Sequence, residues 1–131
     1  MKANILVIDD EESVTFSFHR FLEEAGHNVI TAESYLEALS RMDEMNFDLI
    51  IADIVLDDGW GTDILQEVMR RNLNTRVIIM TAYPSKETVK TSFRMKAIDY
   101  LIKPLRQKKL LYSVNKALQQ MERGEGEGFN P

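Results

Sequence analysis

Five polar residues each lie at the end of a short apolar run, and their side chains are types that handle metal ions and phosphate: Asp9, Asp10, Asp53, Thr81 and Lys103. Runs of this kind, rich in β-branched residues and apolar on both faces, are typical of strands buried in a parallel sheet. The carboxyl ends of such strands meet at one edge, where open α/β sheets bind ligands. The sequence therefore predicts that these five side chains converge in one pocket.

The predicted pocket has the composition of a site that accepts a phosphoryl group. Its three carboxylates repel one another and raise each other's pKa values. A hard divalent cation is therefore expected, and Mg²⁺ is the usual ion where phosphate is handled. The Asp53 carboxylate can attack phosphorus to form an aspartyl phosphate. Mg²⁺ and Lys103 would then each bind one oxygen of that group, and the Thr81 hydroxyl or backbone N–H groups would bind the third.

The elements that must position these residues alternate between strand and helix patterns. Ser34 and Glu37 form a capping-box pattern at the start of the second helix, and Gly26 is placed to end the first. The predicted strands contain Ile5–Ile8, Val29–Ile30, Leu49–Ala52, Val77–Met80 and Tyr100–Ile102. Five β-α repeats predict an α/β fold with a doubly wound, five-stranded parallel sheet in the order 2-1-3-4-5 and helices on both faces.

Residues 1–123 are predicted to form one domain. Residues 124–131 are rich in Gly, lack apolar periodicity, and are predicted to be a flexible tail or the start of a linker. The last three helices are predicted from the helical spacing of their apolar residues: Ile64, Leu65, Val68 and Met69, then Val89 and Phe93, then Leu111, Val114, Leu118 and Met121.

Composition argues against several classes of protein. The sequence contains no cysteine, so disulfide frameworks and thiolate chemistry are excluded. It has no apolar run of membrane-spanning length and no signal-peptide pattern, so we expect a cytoplasmic protein that does not enter a membrane. Lysine and arginine are scattered without a dense block, so we expect no direct nucleic-acid binding by this domain.

Four segments resemble the CheY-like receiver domains of response regulators in two-component signal transduction. They are Ile5–Glu11, Asp48–Asp53 with Gly61 eight residues on, Met80–Ala82 and Asp99–Pro104. The resemblance implies a flavodoxin-like fold in which Asp53 takes a phosphoryl group from the phosphohistidine of a histidine kinase or phosphotransfer protein, as in a phosphorelay. Such a domain promotes its own phosphoryl transfer and hydrolysis but is not a turnover enzyme.

The resemblance also implies a metal site and a switch. Mg²⁺ would be bound by Asp10, Asp53 and the backbone carbonyl of Val55, with Asp9 reaching the ion through water. The remaining implied roles are phosphoryl binding by Lys103 and Thr81, switching by Thr81 and Tyr100, and a cis peptide bond before Pro104.

The switch would act on the face made by the fourth helix, the fifth strand and the fifth helix. A change there would control a partner, an output domain or self-association. The basic residues of these helices favour an acidic partner or a self-pairing surface: Lys90, Arg94 and Lys109. Similarity to receivers of NtrC-type transcription regulators and of hybrid kinases leaves the output open.

The loop after the acceptor departs from the family pattern. The family usually has Pro four residues after the acceptor, where this chain has Asp57. We expect a more mobile loop with extra acids near the metal edge. Trp60 is either an exposed partner contact or a packing residue. Val55 and Tyr83 are expected to flank the approach of the hydrolytic water, and neither is suited to orient it, so slow self-dephosphorylation is predicted.

Other classes of function fit the residues less well. A haloacid-dehalogenase-type hydrolase needs a second Asp two residues after its nucleophile, where this chain has Val55. A flavodoxin-like flavin module needs a phosphate loop after the first strand, where Asp9-Asp10 and the acids that follow would repel phosphate. A receiver-like interaction module that is never phosphorylated remains the alternative.

Overall fold

The computed structural model describes residues 2–127, and its centre is a five-stranded parallel sheet in the order β2-β1-β3-β6-β7. The elements are β1 (Asn4–Ile8), α1 (Glu12–Glu24), β2 (Asn28–Ala32), α2 (Tyr35–Glu44), β3 (Leu49–Asp53), β4 (Val55–Leu56), β5 (Gly59–Trp60), α3 (Gly61–Arg70), β6 (Arg76–Thr81), α4 (Lys86–Arg94), β7 (Asp99–Ile102) and α5 (Gln107–Glu127). Strands β6 and β7 are the predicted fourth and fifth strands, so the predicted order 2-1-3-4-5 is confirmed.

The three inner strands β1, β3 and β6 are largely apolar on both faces because helices cover both. In β1, Ile5 and Val7 pack in one buried cluster with α1 and α5, while Leu6 and Ile8 pack in another with α2 and α3. Side chains alternate between the two faces of a strand. A strand that is covered on both faces therefore has apolar residues at consecutive positions, and these runs are the pattern from which the strands were predicted.

The ends of the helices follow the local chemistry of their residues. Ser34 caps α2 by accepting a hydrogen bond from the Glu37 N–H at 3.0 Å. The Glu37 carboxylate accepts a hydrogen bond from the Glu33 N–H at 2.7 Å. In a standard capping box the donor would be the N–H of the N-cap residue, Ser34. After α1, Gly26 adopts φ +99°, a conformation that glycine adopts without the steric penalty of a side chain.

Three residues whose apolar spacing marks the helices are not fully buried. Met69 and Phe93 are exposed, because the inner faces of α3 and α4 are narrower than their apolar spacing indicates. On α5 the first fully buried leucine is Leu110, with Leu111 only partly buried. Helix α5 also continues to Glu127, beyond the predicted boundary at residue 123. The side chain of Met121 and residues 128–131 lie outside what the structure describes.

No helix within residues 2–127 is long and apolar enough to cross a membrane.

Candidate functional site

The predicted pocket forms at the carboxyl edge of the sheet, where β1 and β3 are neighbours and the strand order reverses. Asp9 follows β1, Asp53 ends β3, and Lys103 follows β7. Asp9 is fully buried and Asp53 nearly so, with 7% of its surface exposed. Residues separated by up to 94 positions in the chain thus meet, because parallel strands present the same end to the same edge.

Lys103 connects the acids of this pocket. Its Nζ lies 2.9 Å from Asp53 Oδ2, 2.8 Å from Asp9 Oδ2 and 3.1 Å from Glu11 Oε1. Burial alone would lower the pKa of Lys103, but the Asp9 and Asp53 carboxylates outweigh burial and raise it. The Lys103–Pro104 peptide bond is cis, as predicted. The contact with Glu11 was not predicted.

Asp9, Asp10 and Asp53 together offer oxygen ligands for a hard cation. One carboxylate oxygen from each lies within 4.8 Å of the others. Asp9 Oδ1 accepts the Glu11 N–H at 2.8 Å, whereas the buried Oδ2 touches Lys103 without the geometry of a hydrogen bond. Burial raises the pKa of Asp9, and Lys103 only partly opposes this. The single Lys103 ammonium cannot offset the charge of three carboxylates, so their oxygens fit a divalent cation as an additional partner.

The loop after Asp53 forms a short hairpin that sequence patterns did not predict. Val55 pairs with Trp60 in the antiparallel strands β4 and β5, and Asp57-Asp58 is the two-residue turn. The Asp58 carboxylate accepts the N–H groups of Tyr35 at 2.7 Å and of the next residue at 3.0 Å. These bonds lower the pKa of Asp58. The loop expected to be mobile is therefore anchored to the first turn of α2.

Asp57, at the hairpin turn, affects the ionisation of Asp10. Burial raises the pKa of Asp10, and the carboxyl of Asp57, within hydrogen-bonding reach, raises it further, as does Asp53. The prediction that extra acids lie near this edge is thus met for Asp57. Asp58 points instead at α2.

Thr81 is fully buried at the end of β6, and its hydroxyl is turned toward its own loop. Thr81 Oγ1 accepts the Tyr83 N–H at 3.0 Å. The location of Thr81 agrees with the predicted pocket, but its hydroxyl oxygen is hydrogen-bonded to the β6–α4 loop.

Tyr100 is half-buried on β7, and its hydroxyl lies 2.7 Å from Thr88 Oγ1 on α4. Thr88 in turn hydrogen-bonds to Ser85, the N-cap of α4. The tyrosine is therefore tied to the start of α4. The sequence did not point to Thr88 as a functional residue, although it follows the N-cap residue Ser85 by three positions, the spacing of a helix-capping hydrogen bond.

Three large side chains on the segments that follow Asp53 and Thr81 are exposed. Val55 is 44% exposed, Tyr83 is 81% exposed and Trp60 is 56% exposed. The exposure of Trp60 favours a contact residue over a packing residue. Gly61, eight residues after Asp53, admits no side chain, because a Cβ there would collide with the backbone carbonyl oxygen of Asp53.

A doubly wound sheet in this strand order, with acids where the order reverses, is the architecture of CheY-like proteins. The profile described as response regulator receiver domain matches residues 5–115, and the chain belongs to this family. It is 38% identical over 115 residues to the transcriptional regulatory protein ZraR of Escherichia coli (strain K12), a match covering 88% of this chain. The chain spans 26% of the length of that relative.

Solved structures agree with the family. The receiver domain protein (CheY-like) from Methanospirillum hungatei JF-1 superposes with a TM-score of 0.89 at 28% identity, covering 94% of this chain and 98% of that one. The beryllofluoride-activated NtrC4 receiver domain dimer gives a TM-score of 0.85 at 30% identity, covering 90% and 98%. The chain is therefore a receiver domain of the two-component response-regulator type.

Proposed function

We propose that Asp53 is the residue that accepts the phosphoryl group, taken from a phosphohistidine of a histidine kinase or phosphotransfer protein. The observation that carries this proposal is the 2.9 Å contact between Lys103 Nζ and Asp53 Oδ2, in a pocket where two further carboxylates converge. In the proposed step an Asp53 oxygen forms a bond to phosphorus, the bond from phosphorus to the imidazole nitrogen breaks, and the imidazole keeps the electron pair. Lys103 neutralises charge on the transferring group.

Asp10, Asp53 and the backbone carbonyl of Val55 are the proposed ligands of Mg²⁺, with Asp9 acting through water. The bound ion would neutralise negative charge on the phosphoryl oxygens. Asp9 already shares Lys103 with Asp53, so its proposed role is to hold the ammonium and the ion's water in place. The oxygen-only ligand set suits Mg²⁺.

The switch is proposed to pass through Thr81 and Tyr100. A phosphoryl oxygen on Asp53 would compete with the Tyr83 N–H for the Thr81 hydroxyl, and Thr81 would shift toward the phosphoryl group. Movement of the β6–α4 loop would then reach Ser85 and Thr88, and through Thr88 the hydroxyl of Tyr100. Phosphorylation need only change the relative stability of two arrangements by a few kcal/mol to shift the population.

The face made by α4, β7 and α5 is the proposed output surface. Each of its elements exposes an apolar side chain, namely Phe93, Ile102 and Tyr112, beside the basic residues Lys90, Arg94 and Lys109. The similar NtrC4 receiver is described as a dimer in its beryllofluoride-activated form, which supports self-association here. Because ZraR is a transcriptional regulatory protein, transcription is the proposed output of a longer protein containing this domain. We also propose a cytoplasmic location and no turnover activity.

Labelling with acetyl phosphate tests this function. The wild type in Mg²⁺ should gain the mass of one phosphoryl group, and Asp53→Asn should gain none. Asp43→Asn removes a carboxylate from the exposed side of α2 and should label like the wild type. Equal labelling of wild type and Asp53→Asn would refute the assignment. A wild type that never labels, even with a purified histidine kinase, would favour the unphosphorylated interaction module.

A further inference from the structure

Among the described residues, three carboxylates lie within 3.1 Å of Lys103 Nζ, and that of Glu11 is the exposed one. Glu11 Oε1 accepts a hydrogen bond from Nζ at 3.1 Å, and the Glu11 side chain is 62% exposed. The side chains of Asp9 and Asp53 are 0% and 10% exposed. The ammonium therefore has two buried partners and one partner that water can reach.

The backbone of Glu11 is fixed on both sides, whereas its side chain is not used by the helix that follows. The Glu11 N–H donates to Asp9 Oδ1 at 2.8 Å, and its carbonyl oxygen accepts the N–H groups of Val14 and Thr15 at 3.0 and 3.2 Å. Glu11 is the N-cap residue of α1, but its carboxylate forms no capping hydrogen bond. The side chain can therefore leave Lys103 without a change in the backbone around it.

A phosphoryl group on Asp53 needs the same ammonium. An ammonium has three N–H donors, and three carboxylates already surround this one, so a phosphoryl oxygen that binds Lys103 must displace one of them. Displacement of Asp9 would leave a buried charge without its partner, which is strongly unfavourable. Asp53 carries the phosphoryl group itself and stays beside the lysine. Glu11 can move into water, because an exposed ion pair has little stability to lose.

We propose that Glu11 is a positioning residue that competes with the phosphoryl group for Lys103. The inference rests on the proposed function in taking Asp53 as the acceptor. In the unphosphorylated protein, Glu11 completes the set of acids around the ammonium. When a phosphoryl oxygen takes its place, the Glu11 carboxylate moves into water at the N-terminal end of α1, where the helix dipole favours negative charge. The resting state thus has a contact that the phosphorylated state lacks, so Glu11 weakens binding of the phosphoryl group.

Beryllofluoride, which takes the place of a phosphoryl group on the acceptor carboxylate, tests this competition without any phosphoryl transfer. Fluorine NMR measures its affinity in saturating Mg²⁺ for the wild type, Glu11→Gln and Glu12→Gln. We expect Glu11→Gln to bind it about two- to fivefold more tightly, the range that corresponds to the loss of an exposed ion pair.

Glu12→Gln is the matched control, because it removes the same charge from the next residue, whose side chain is exposed in the first turn of α1. Glu12 forms no ion pair with Lys103. At physiological ionic strength its removal should change the affinity at most about 1.5-fold, because salt and water screen a charge that acts only from a distance.

A second measurement follows the Glu11 carboxylate itself. In protein labelled with carbon-13 at the glutamate carboxyl groups, the Glu11 and Glu12 signals are identified by their loss from the respective variants. Addition of beryllofluoride should shift the Glu11 signal toward that of a free carboxylate and leave the Glu12 signal nearly unchanged. A residue that only stabilises the fold would show no such release.

Unchanged beryllofluoride affinity in Glu11→Gln, or an equal change in Glu12→Gln, would overturn the proposal, and so would a Glu11 signal that beryllofluoride does not move. Because glutamine still offers an amide oxygen to Lys103, Glu11→Ala serves as a second variant and should bind at least as tightly as Glu11→Gln. Melting temperatures without beryllofluoride should stay close to that of the wild type in all three variants, because an exposed pair contributes little to stability.

The inference and the proposed function fail separately. A wild type that labels at Asp53, with an affinity for beryllofluoride that Glu11→Gln does not change, would refute only the inference. A protein that never labels with acetyl phosphate or a histidine kinase, but binds beryllofluoride more tightly once Glu11 is replaced, would refute only the proposed function.

Discussion

Replacement of Lys103 by methionine should destabilise the protein strongly when no divalent ion is present. The lysine side chain is 10% exposed and lies within 3 Å of one oxygen of Asp9 and one of Asp53. Loss of one partner from a buried ion pair costs about 3–5 kcal/mol. The pair with Glu11, which is 62% exposed, adds about 0–1 kcal/mol at most. Because one of the three partners, Glu11, is exposed to solvent, we take the lower end, about 3 kcal/mol.

Urea unfolding in EDTA measures this loss. With a slope of about 1–3 kcal/mol per molar, the midpoint of Lys103→Met should fall by about 1–3 M. Lys108→Met, an exposed lysine at the start of α5, makes the same substitution outside the pocket and should move the midpoint little. Saturating Mg²⁺ should return much of the lost stability, since the ion binds the folded acids and not the unfolded chain. A loss below about 1 kcal/mol in EDTA would show that Lys103 does not hold the acids as described.

The stability lost in Lys103→Met should depend on pH in a defined direction. Burial raises the folded-state pKa values of Asp9 and Asp10 above 3.8, and removal of Lys103 raises that of Asp9 further. The folded state therefore binds protons before the unfolded state does, and protonation stabilises it. The difference in unfolding free energy between wild type and Lys103→Met should shrink as pH falls from 7 toward about 4. A difference that stays constant or grows over this range would contradict the assigned contacts.

Four further variants test other parts of the site. Val55→Asn should speed loss of phosphate after acetyl phosphate labelling, because an amide can orient the attacking water. Tyr83→Ala should also speed it, because a smaller side chain opens the approach of that water. Equal rates in the wild type and both variants would show that these positions do not control the lifetime. Thr88→Val should cost about 1 kcal/mol of stability by removing the partner of the Tyr100 hydroxyl, and should shift the fluorine resonance of fluorotyrosine at that position; an unshifted resonance would show that Thr88 does not hold the ring. Gly61→Ala should lower stability by about 1–3 kcal/mol in urea unfolding, because its Cβ meets backbone that cannot rotate away; an unchanged midpoint would contradict the tight approach to Asp53.

The convergence of Asp53 and Lys103 could be predicted because it depends on few facts. Each follows an apolar run, and parallel strands bring all such positions to one edge. The cis bond before Pro104 followed from the family resemblance. Contacts within the pocket, such as that between Lys103 and Glu11, depend on side-chain reach and could not be derived from spacing.

The hairpin after Asp53 and its anchor could not be predicted from local patterns. Strands of two residues are too short to show alternation, and Asp58 finds its partners 22 and 23 positions earlier in the chain. Helical spacing marked Phe93 as apolar at a core interval, but it could not reveal that this part of α4 faces away from the sheet. Such choices depend on tertiary packing, which periodicity does not encode.

The central claim is that phosphoryl transfer ends on Asp53. Borohydride reduction converts an aspartyl phosphate to homoserine, which peptide mass spectrometry can locate after labelling with acetyl phosphate or a histidine kinase in Mg²⁺. We predict homoserine at position 53 and unmodified aspartates at positions 9, 10 and 57. Homoserine at any of those three positions, with Asp53 intact, would contradict it.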